Sequence, residues 1–254
     1  MPVVARLSIS PVKSLALLHP DGILLTKEGV AEDRRFYLVD DTGRLIDGLV
    51  VGALVQVGAW TDPDGETLRL TMPDGRVIED VVAPGEPIAT QMYGRTAMSH
   101  VVEGPWAEAL AELVGRRLRI ARVDRPGGTR THNQASIVSD GSLGRLGDRF
   151  GAGAVDGRRF RMLIELSGAD EHEEDGWIGR RIGIGEAVLS VTKPDARCAI
   201  TTHDPDTGAR DLDTLRAIRE YRGLRDGKNL DFGVLADVAR PGRIRLGDAV
   251  HVNP

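Results

Sequence analysis

Residues 3–10 read Val-Val-Ala-Arg-Leu-Ser-Ile-Ser, and strict alternation predicts that Val3, Ala5, Leu7 and Ile9 share one face. A period of two is typical of a half-buried strand and argues against a helix. Similar short runs recur at 22–26, 36–40, 49–60, 67–72, 77–82 and 95–102. Turn sequences such as Asp62-Pro-Asp-Gly65 separate several of these runs. This part of the chain is therefore predicted to be a meander of strands.

The second half of the chain contains further strands and most of the helical signals. Strands are predicted at 136–138 and 160–166, and the glycine-rich segment 124–134 is interpreted as a surface loop and a domain boundary. The similar stretches 181–188 and 243–250 indicate two tight β turns of a barrel or sandwich. Apolar residues at helical spacing predict helices near 105–114, 142–150 and 212–222.

Together these patterns predict a mostly β (α+β) fold. We expect two interlocked β-barrel-like lobes with a few short helices, joined by the segment 124–134. The chain of 254 residues is long enough for one large domain or two smaller ones. The formal net charge of −5 argues against nonspecific binding to nucleic acid or to anionic lipid. No leader or membrane-span pattern is seen, so we expect a soluble, cytoplasmic protein with no nucleic-acid or membrane partner.

The chain contains a single cysteine, Cys198, which follows Arg197 and precedes a polar loop. A thiolate is a nucleophile and a soft metal ligand, and an adjacent guanidinium favours the thiolate. A free cysteine is also commonly a small buried hydrophobe, so both interpretations stay open at this point. One cysteine excludes an internal disulfide framework, an iron–sulfur cluster held by four cysteines of this chain and a four-cysteine zinc site.

Basic residues stand where predicted strands begin or end. Lys13 and Ser14 close Pro11-Val-Lys-Ser14, Arg34 lies in Asp33-Arg-Arg-Phe36, and Arg161 ends Arg158-Arg-Phe-Arg161. Lysine and arginine supply charge-assisted donors, so these side chains can converge on an anion such as a phosphate. Taken singly, each fits a solvated surface charge better.

Two other polar stretches are given structural rather than catalytic or metal-binding interpretations. His203-Asp-Pro-Asp-Thr-Gly208 offers an imidazole and carboxylates, but its spacing is better explained by a turn. The acidic run 170–175 is predicted to be a solvated loop, and Trp177 is predicted to be a core or rim residue.

These blocks resemble the signature blocks of MOSC proteins, the family of the C-terminal domain of molybdenum cofactor sulfurases. The resemblance rests on the Lys13, Arg34 and Arg161 blocks, on 177–185 and above all on Arg197-Cys-Ala-Ile-Thr-Thr-His-Asp-Pro-Asp-Thr-Gly208. An N-terminal MOSC-type β-barrel region (1–123) followed by the MOSC domain (124–254) is similar to the mitochondrial amidoxime-reducing component and its bacterial relatives.

The resemblance implies the molybdenum cofactor, molybdopterin, with Cys198 as metal ligand and catalytic residue. The length of 254 residues and the single cysteine predict no pyridoxal-phosphate domain and no iron–sulfur motif in this chain. The predicted cofactor-binding residues are Lys13, Ser14, Arg34, Asn133, Gln134, Arg161 and Arg197. The chain departs from the family in two places. Leu163 stands where an asparagine is common, and 46–54 is apolar and glycine-rich where relatives carry a polar stretch.

The first function hypothesis is an oxidoreductase of the amidoxime-reducing type. It would act on N-hydroxylated or related N–O small molecules, with electrons from a separate donor protein. A second hypothesis is a sulfur-transfer module in which a sulfur donor loads Cys198 as a persulfide. A third is a noncatalytic binding module.

Overall fold

A computed structural model describes residues 1–129 and 133–253. Over these residues the chain forms seventeen strands, three α-helices and four 3₁₀ helices. The strands are β1 (Val3–Leu7), β2 (Gly22–Leu25), β3 (Phe36–Val39), β4 (Leu45–Ile46), β5 (Gly58–Thr61), β6 (Thr67–Thr71), β7 (Val77–Val81), β8 (Ala83–Met92), β9 (Arg95–Glu103), β10 (Arg119–Val123), β11 (Ala135–Ser139), β12 (Ile164–Ser167), β13 (Arg181–Ile184), β14 (Ala187–Ala196), β15 (Asp231–Arg240), β16 (Gly242–Arg245) and β17 (Val250–Asn253). The α-helices are α1 (Trp106–Val114), α2 (Asp140–Asp148) and α3 (Thr214–Arg222), and the 3₁₀ helices are Gly52–Gln56, Gly157–Phe160, Glu173–Trp177 and Ala199–Thr202.

The larger sheet is a nearly closed barrel. Its seven strands follow the order β1-β12-β11-β15-β14-β13-β17. Val4 N donates to Asp248 O (2.9 Å) and Val250 N donates to Pro2 O (2.9 Å), and these bonds bring the two outer ends of the sheet together. Closure leaves few unpaired strand edges, and the interior is filled by one apolar cluster.

The second lobe is built from two smaller sheets around another apolar core. A five-stranded sheet, β4-β3-β10-β9-β8, and a three-stranded sheet, β5-β6-β7, face this core. Trp106 of α1 is fully buried there, and its indole nitrogen donates to Leu68 O (3.0 Å). The indole therefore fastens α1 to β6.

The two lobes exchange strands. β1 pairs with β12 in the barrel, although it opens the chain, and β2 pairs with β16. The mostly β fold of two interlocked lobes is confirmed. The boundary between 1–123 and 124–254 stays a prediction, and Arg130, Thr131 and His132 of the proposed linker lie outside the described residues.

The three predicted helices are confirmed, with their boundaries shifted by a few residues. No helix in the described part of the chain is both long and apolar enough to cross a bilayer.

Several local predictions are wrong. The shared face of β1 fails because a β-bulge between Val4 and Arg6 shifts the pleat, so that Val4 is buried and Ala5 is exposed. The predicted strand 49–60 contains the 3₁₀ helix Gly52–Gln56 before β5, and the predicted strand 160–166 begins only at Ile164. β8 was not predicted because Pro84 and Pro87 disfavour a strand, but it is an edge strand, where proline is tolerated.

The acidic run is also more than a solvated loop. Glu174 lies in the 3₁₀ helix Glu173–Trp177 and is fully buried. It accepts from Ser139 Oγ (2.6 Å) and Ser142 Oγ (2.7 Å), so it fastens this segment to the start of α2. Burial raises the pKa of Glu174. Trp177 is buried in the barrel core, as predicted.

Candidate functional site

A cavity of about 430 Å³ lies where the two lobes meet. One wall comes from the N-terminal lobe and includes Asp47 and Tyr93, and the facing wall comes from the loops around β11, β12 and β14. The structure brings all the predicted site residues to this cavity: Lys13, Ser14, Arg34, Asn133, Gln134, Arg161, Arg197 and Cys198. Their roles stay predictions, because the geometry shows only that they share one cavity.

One end of the cavity is cationic. Arg161 Nη2 donates to two neutral acceptors, Ser10 Oγ (2.8 Å) and Leu15 O (2.6 Å). Lys13 Nζ lies 5.2 Å from the centre of the Tyr93 ring. Among the described residues, no carboxylate oxygen lies within ion-pair distance of Lys13 Nζ or of the Arg161 guanidinium. Positive charge at this end therefore exceeds what nearby carboxylates balance.

Arg34 belongs to the same end but has a carboxylate partner. Its guanidinium pairs with Asp33, which is almost fully buried and also accepts from Ser10 N (2.8 Å). Arg34 Nη2 also donates to Arg161 O (3.2 Å). Asp33 thus compensates part of the positive charge and leaves Lys13 and Arg161 to face the cavity.

The crowding of cations shows in the acid–base properties of this end. Burial lowers the pKa of Lys13 to about 8, and the positive charges of Arg34 and Arg161 add to this effect. Burial also lowers the pKa of Arg161 to about 10, with a further contribution from the charge of Arg34. An anion bound in the cavity would oppose both shifts.

Arg197 and Cys198 form another part of the cavity wall, which we call the Arg197 end. The Arg197 side chain is largely buried; it pairs with Asp195 and donates to Phe160 O and to Met162 Sδ (3.2 Å). Arg197 Nε is buried and has no hydrogen-bond partner within the described structure. Arg197 therefore stabilises this wall of the cavity, and its Nε–H group has no acceptor in the described structure.

Cys198 is exposed to solvent, so the interpretation as a buried hydrophobe does not hold. It immediately precedes the 3₁₀ helix Ala199–Thr202, and Arg197 N donates to Leu230 O (2.7 Å) just before it. A thiol at this junction is held by the backbone on both sides. It is available to a metal, a sulfur donor or an alkylating reagent.

The amide side chains lie at the barrel rim. Asn133 Nδ2 donates to Asp237 Oδ1 (2.6 Å) and to Thr192 Oγ1 (2.9 Å), so these contacts use both of its N–H groups. Gln134 Oε1 accepts a long bond from Val238 N (3.4 Å). Asn133 therefore offers a bound molecule mainly its oxygen.

Left-handed backbone is concentrated at the cavity. Four of the six non-glycine residues with positive φ in the described chain line it: Ser14 (φ 77°), Arg34 (φ 55°), Tyr93 (φ 48°) and Arg161 (φ 52°). Such conformations cost free energy in side-chain-bearing residues and persist where the surroundings hold them. The residue types at these four positions do not predict a left-handed backbone conformation.

Sequence reasoning missed two residues of the N-terminal wall. Tyr93 lies in the turn between β8 and β9, and its hydroxyl donates to Asp47 Oδ2 (2.9 Å). Burial, together with this hydrogen bond and the charge of Asp47, raises the pKa of Tyr93. One signal for Tyr93 was present in the sequence. Tyr93-Gly94 is typical of a tight turn between two strands, and this turn would have indicated β8 before it.

The remaining arginines of the Arg161 block do not line the cavity. Arg158 makes two bonds to Asp206 (2.6 and 2.9 Å), and Arg159 makes two bonds to Asp211 (2.7 and 2.6 Å). Asp204 Oδ1 accepts from Thr207 N (2.8 Å), so His203–Gly208 forms the turn that its sequence predicts. These contacts hold the polar loop that follows Cys198.

Comparison with known proteins gives the chain a family. It is 27% identical over 286 residues to the mitochondrial amidoxime-reducing component 1 of Homo sapiens, over 98% of this chain and 82% of that protein. It is 30% identical over 112 residues to a molybdenum cofactor sulfurase of Oryza sativa subsp. japonica, over 40% of this chain and 13% of that protein. The solved YUAD protein from Bacillus subtilis aligns with 99% of this chain and 96% of its own, at a TM-score of 0.46 and 13% identity.

Two family models cover the chain almost from end to end. Residues 1–114 match the MOSC N-terminal beta barrel domain, and residues 112–251 match the MOSC domain. The second match alone spans more than half of the chain, and it includes Arg161, Arg197 and Cys198. The chain therefore belongs to the MOSC domain family.

Proposed function

We propose that the chain is a molybdenum-cofactor oxidoreductase that reduces N-hydroxylated or related N–O compounds. The observation that carries this proposal is one cavity whose lining combines an excess of positive charge from Lys13, Arg34 and Arg161 with the exposed thiol of Cys198. The similarity to amidoxime-reducing components supports the reaction type, and the similarity to a molybdenum cofactor sulfurase supports the cofactor.

The residues present fit a molybdenum-bearing pterin that ends in a phosphate. Lys13 and Arg161 form no ion pair among the described residues, and the buried Arg197 Nε is a donor that still needs an acceptor. Cys198 supplies one soft ligand, which suits a metal whose other ligands come with its cofactor. The volume of about 430 Å³ is in the range of small-molecule sites.

In this proposal Lys13, Arg34 and Arg161 bind the anionic end of the cofactor. Ser14, Asn133 and Gln134 line the wall as further polar contacts, and Arg197 orients the Cys198 end. At Leu163, which is buried in the wall, the chain offers apolar surface instead of an amide. When bound, the cofactor supplies two-electron redox chemistry, and Cys198 Sγ is its protein ligand.

The net reaction balances with two electrons and two protons. For an N-hydroxyl substrate, the N–O bond breaks as two electrons are taken up; one proton goes to the nitrogen to form an N–H bond, and the other goes to the hydroxyl, which leaves as water. A separate donor protein supplies the electrons, because this chain has one cysteine and no nucleotide-binding glycine motif. The exposed free thiol is consistent with a reducing compartment, and we propose a cytoplasmic location.

Metal content tests this proposal most directly. Protein purified from a host that makes the cofactor is expected to contain molybdenum in proportion to the chain, and Cys198→Ser is expected to lose it. Arg69→Ala is the control, because Arg69 is exposed on β6 and pairs with Glu79 away from the cavity. Wild-type protein without molybdenum would refute the proposal.

The exposure of Cys198 also favours a second candidate, sulfur transfer through a persulfide. The Cys198 thiolate would attack the outer sulfur of a persulfide donor and release the donor as a thiolate; an acceptor thiolate would then take that sulfur and regenerate the Cys198 thiolate. Mass spectrometry of protein incubated with a persulfide donor would show one added sulfur on the peptide that contains Cys198. Protein with neither molybdenum nor added sulfur would support the noncatalytic binding module.

A further inference from the structure

The glycine-rich stretch that departs from the family pattern packs on the loop that carries Cys198. We call residues 47–56 the glycine segment and residues 198–211 the Cys198 loop. Gln56 Nε2 donates to Thr207 O (3.1 Å). At Gly48, a Cβ would lie 3.2 Å from Ile200 Cδ1. The glycine segment therefore contacts the Cys198 loop near its beginning, at Gly48, and at its end, at Gln56.

The tightest contact joins Gly52 and Gly208. A Cβ on Gly52 would lie 2.2 Å from Gly208 O, and a Cβ on Gly208 would lie 2.0 Å from Gly52 O. Both distances are far inside van der Waals contact, so any side chain at either position would push the backbones apart. Gly208 also has φ +73°, which favours glycine independently. The departure from the family pattern thus has a steric reason at Gly52.

The glycine segment is fixed on its own lobe. Leu54 and Val57 are fully buried in the N-terminal core. Asp47 Oδ1 accepts from Leu49 N (3.1 Å), and Asp47 Oδ2 accepts from the Tyr93 hydroxyl. A clash at Gly52 is therefore relieved more easily by moving the Cys198 loop than by moving this segment.

The Cys198 loop transmits such a movement to the thiol. Thr201 Oγ1 donates to Cys198 O (3.2 Å), and Asp211 N donates to Thr202 O (3.1 Å). Arg158 and Arg159 bind Asp206 and Asp211, so the loop is braced as one unit. A shift at Gly208 is thus carried back to the 3₁₀ turn that begins at Cys198.

We propose that Gly52 is a positioning residue for Cys198: its backbone contact with Gly208 makes the N-terminal lobe set the place of the thiol in the cavity. The contact is a feature of this chain's own backbone. Only the catalytic consequence rests on the proposed function.

The test compares Gly52→Ala with Gly153→Ala. Gly153 has open space around its Cα and no positive φ, so its alanine variant controls for the substitution itself. In Gly52→Ala, we expect faster hydrogen exchange at the amides of Asp204, Gly208 and Asp211, with the amides of β14 and β15 unchanged. We also expect Cys198 to react several-fold faster with iodoacetamide, because a loosened turn lets the sulfur meet the reagent more often.

Gln56→Ala provides a second variant that creates no clash. It is expected to raise exchange at Gly208 and its neighbours by a smaller amount, and it decides the question if Gly52→Ala does not fold. In molybdenum-loaded protein, kcat of Gly52→Ala should fall by on the order of 100-fold with KM unchanged, since a displacement of about 1 Å near the chemistry has that cost.

Exchange and alkylation rates equal to those of Gly153→Ala in both variants would overturn the positioning role. Altered rates in a protein that never binds molybdenum would support the positioning role and refute the proposed function, so the two failures are distinguishable.

Discussion

Arg161 and Arg197 are two partly buried arginines of the same cavity, and they are partnered in opposite ways. Arg161 donates to a hydroxyl and a carbonyl and stands among other cations, whereas Arg197 pairs with the carboxylate of Asp195. Removing a charge from water is costly unless an opposite charge compensates it. The difference teaches that Arg161 has no carboxylate partner within ion-pair distance among the described residues, while Arg197 has one in Asp195.

The strongest test removes the thiol at the compensated end. Cys198→Ser should abolish any molybdenum-dependent reduction, because a hydroxyl is a harder and far less acidic ligand than a thiol of similar size. The exposed position predicts a melting temperature close to that of the wild type. Turnover with an amidoxime and a reductase, read beside circular dichroism, measures both. Undiminished turnover would exclude Cys198 as a required metal ligand.

Arg161→Gln should have the next largest effect, on anion binding. A hydrogen bond that involves a charged group contributes about 1.5–3 kcal/mol, so affinity for inorganic pyrophosphate should fall by about tenfold to a hundredfold. The melting temperature of the ligand-free protein should change little, because the variant also relieves repulsion with Arg34 and Lys13. Calorimetric titration measures the affinity, with Arg69→Gln as the control. Equal affinities in the two variants would mean that the cationic end binds no anion.

Arg197→Gln should reduce folding stability more than anion binding, which is the reverse of the effect expected for Arg161→Gln. It leaves Asp195 without its guanidinium partner and removes the donor to Phe160 O, so we expect a loss of about 1–3 kcal/mol in the free energy of unfolding. Pyrophosphate affinity should fall less than in Arg161→Gln. Chemical denaturation and the same titration give both numbers. If Arg197→Gln weakens pyrophosphate binding more than Arg161→Gln does, the proposed contrast between the two ends is wrong.

The sequence could predict which residues line the cavity, but it could not predict which groups partner Arg161. The basic blocks and the Arg-Cys block led to the proposed residues through their resemblance to MOSC signature blocks, whereas spacing alone left each basic residue a solvated surface charge. The partners of those residues were not predictable. Asp195 is two positions from Arg197, but Ser10 and Leu15 reach Arg161 only through the exchange of strands between lobes.

Parts of the fold were hidden for similar reasons. The bulge in β1 and the prolines of β8 change the period on which strand prediction depends. The need for glycine at position 52 comes from a backbone more than 150 residues away in the sequence. A pattern confined to one segment cannot register such a contact.

The smallest expected effect is the pH dependence of anion binding at the Arg161 end. Lys13 has a pKa of about 8 in the ligand-free protein, so it carries its positive charge below that pH and loses it as the pH rises through 8. The ratio of the pyrophosphate affinity of the wild type to that of Lys13→Met should therefore decline between pH 7 and pH 9, because the ligand's own titration affects both proteins alike. The bound anion raises the pKa of Lys13 and softens the decline, which makes this effect smaller than that of the variants.

The folding stability of the ligand-free protein depends on pH in the opposite direction. The pKa of Lys13 in the folded protein lies below its usual value of 10.5, so between pH 8 and 10.5 the unfolded chain binds a proton that the folded protein lacks. The free energy of unfolding therefore increases as the pH rises through this range. Titrations at several pH values, with denaturation of the same samples, measure both trends, and parallel pH profiles for wild type and Lys13→Met would show that Lys13 does not sense the anion.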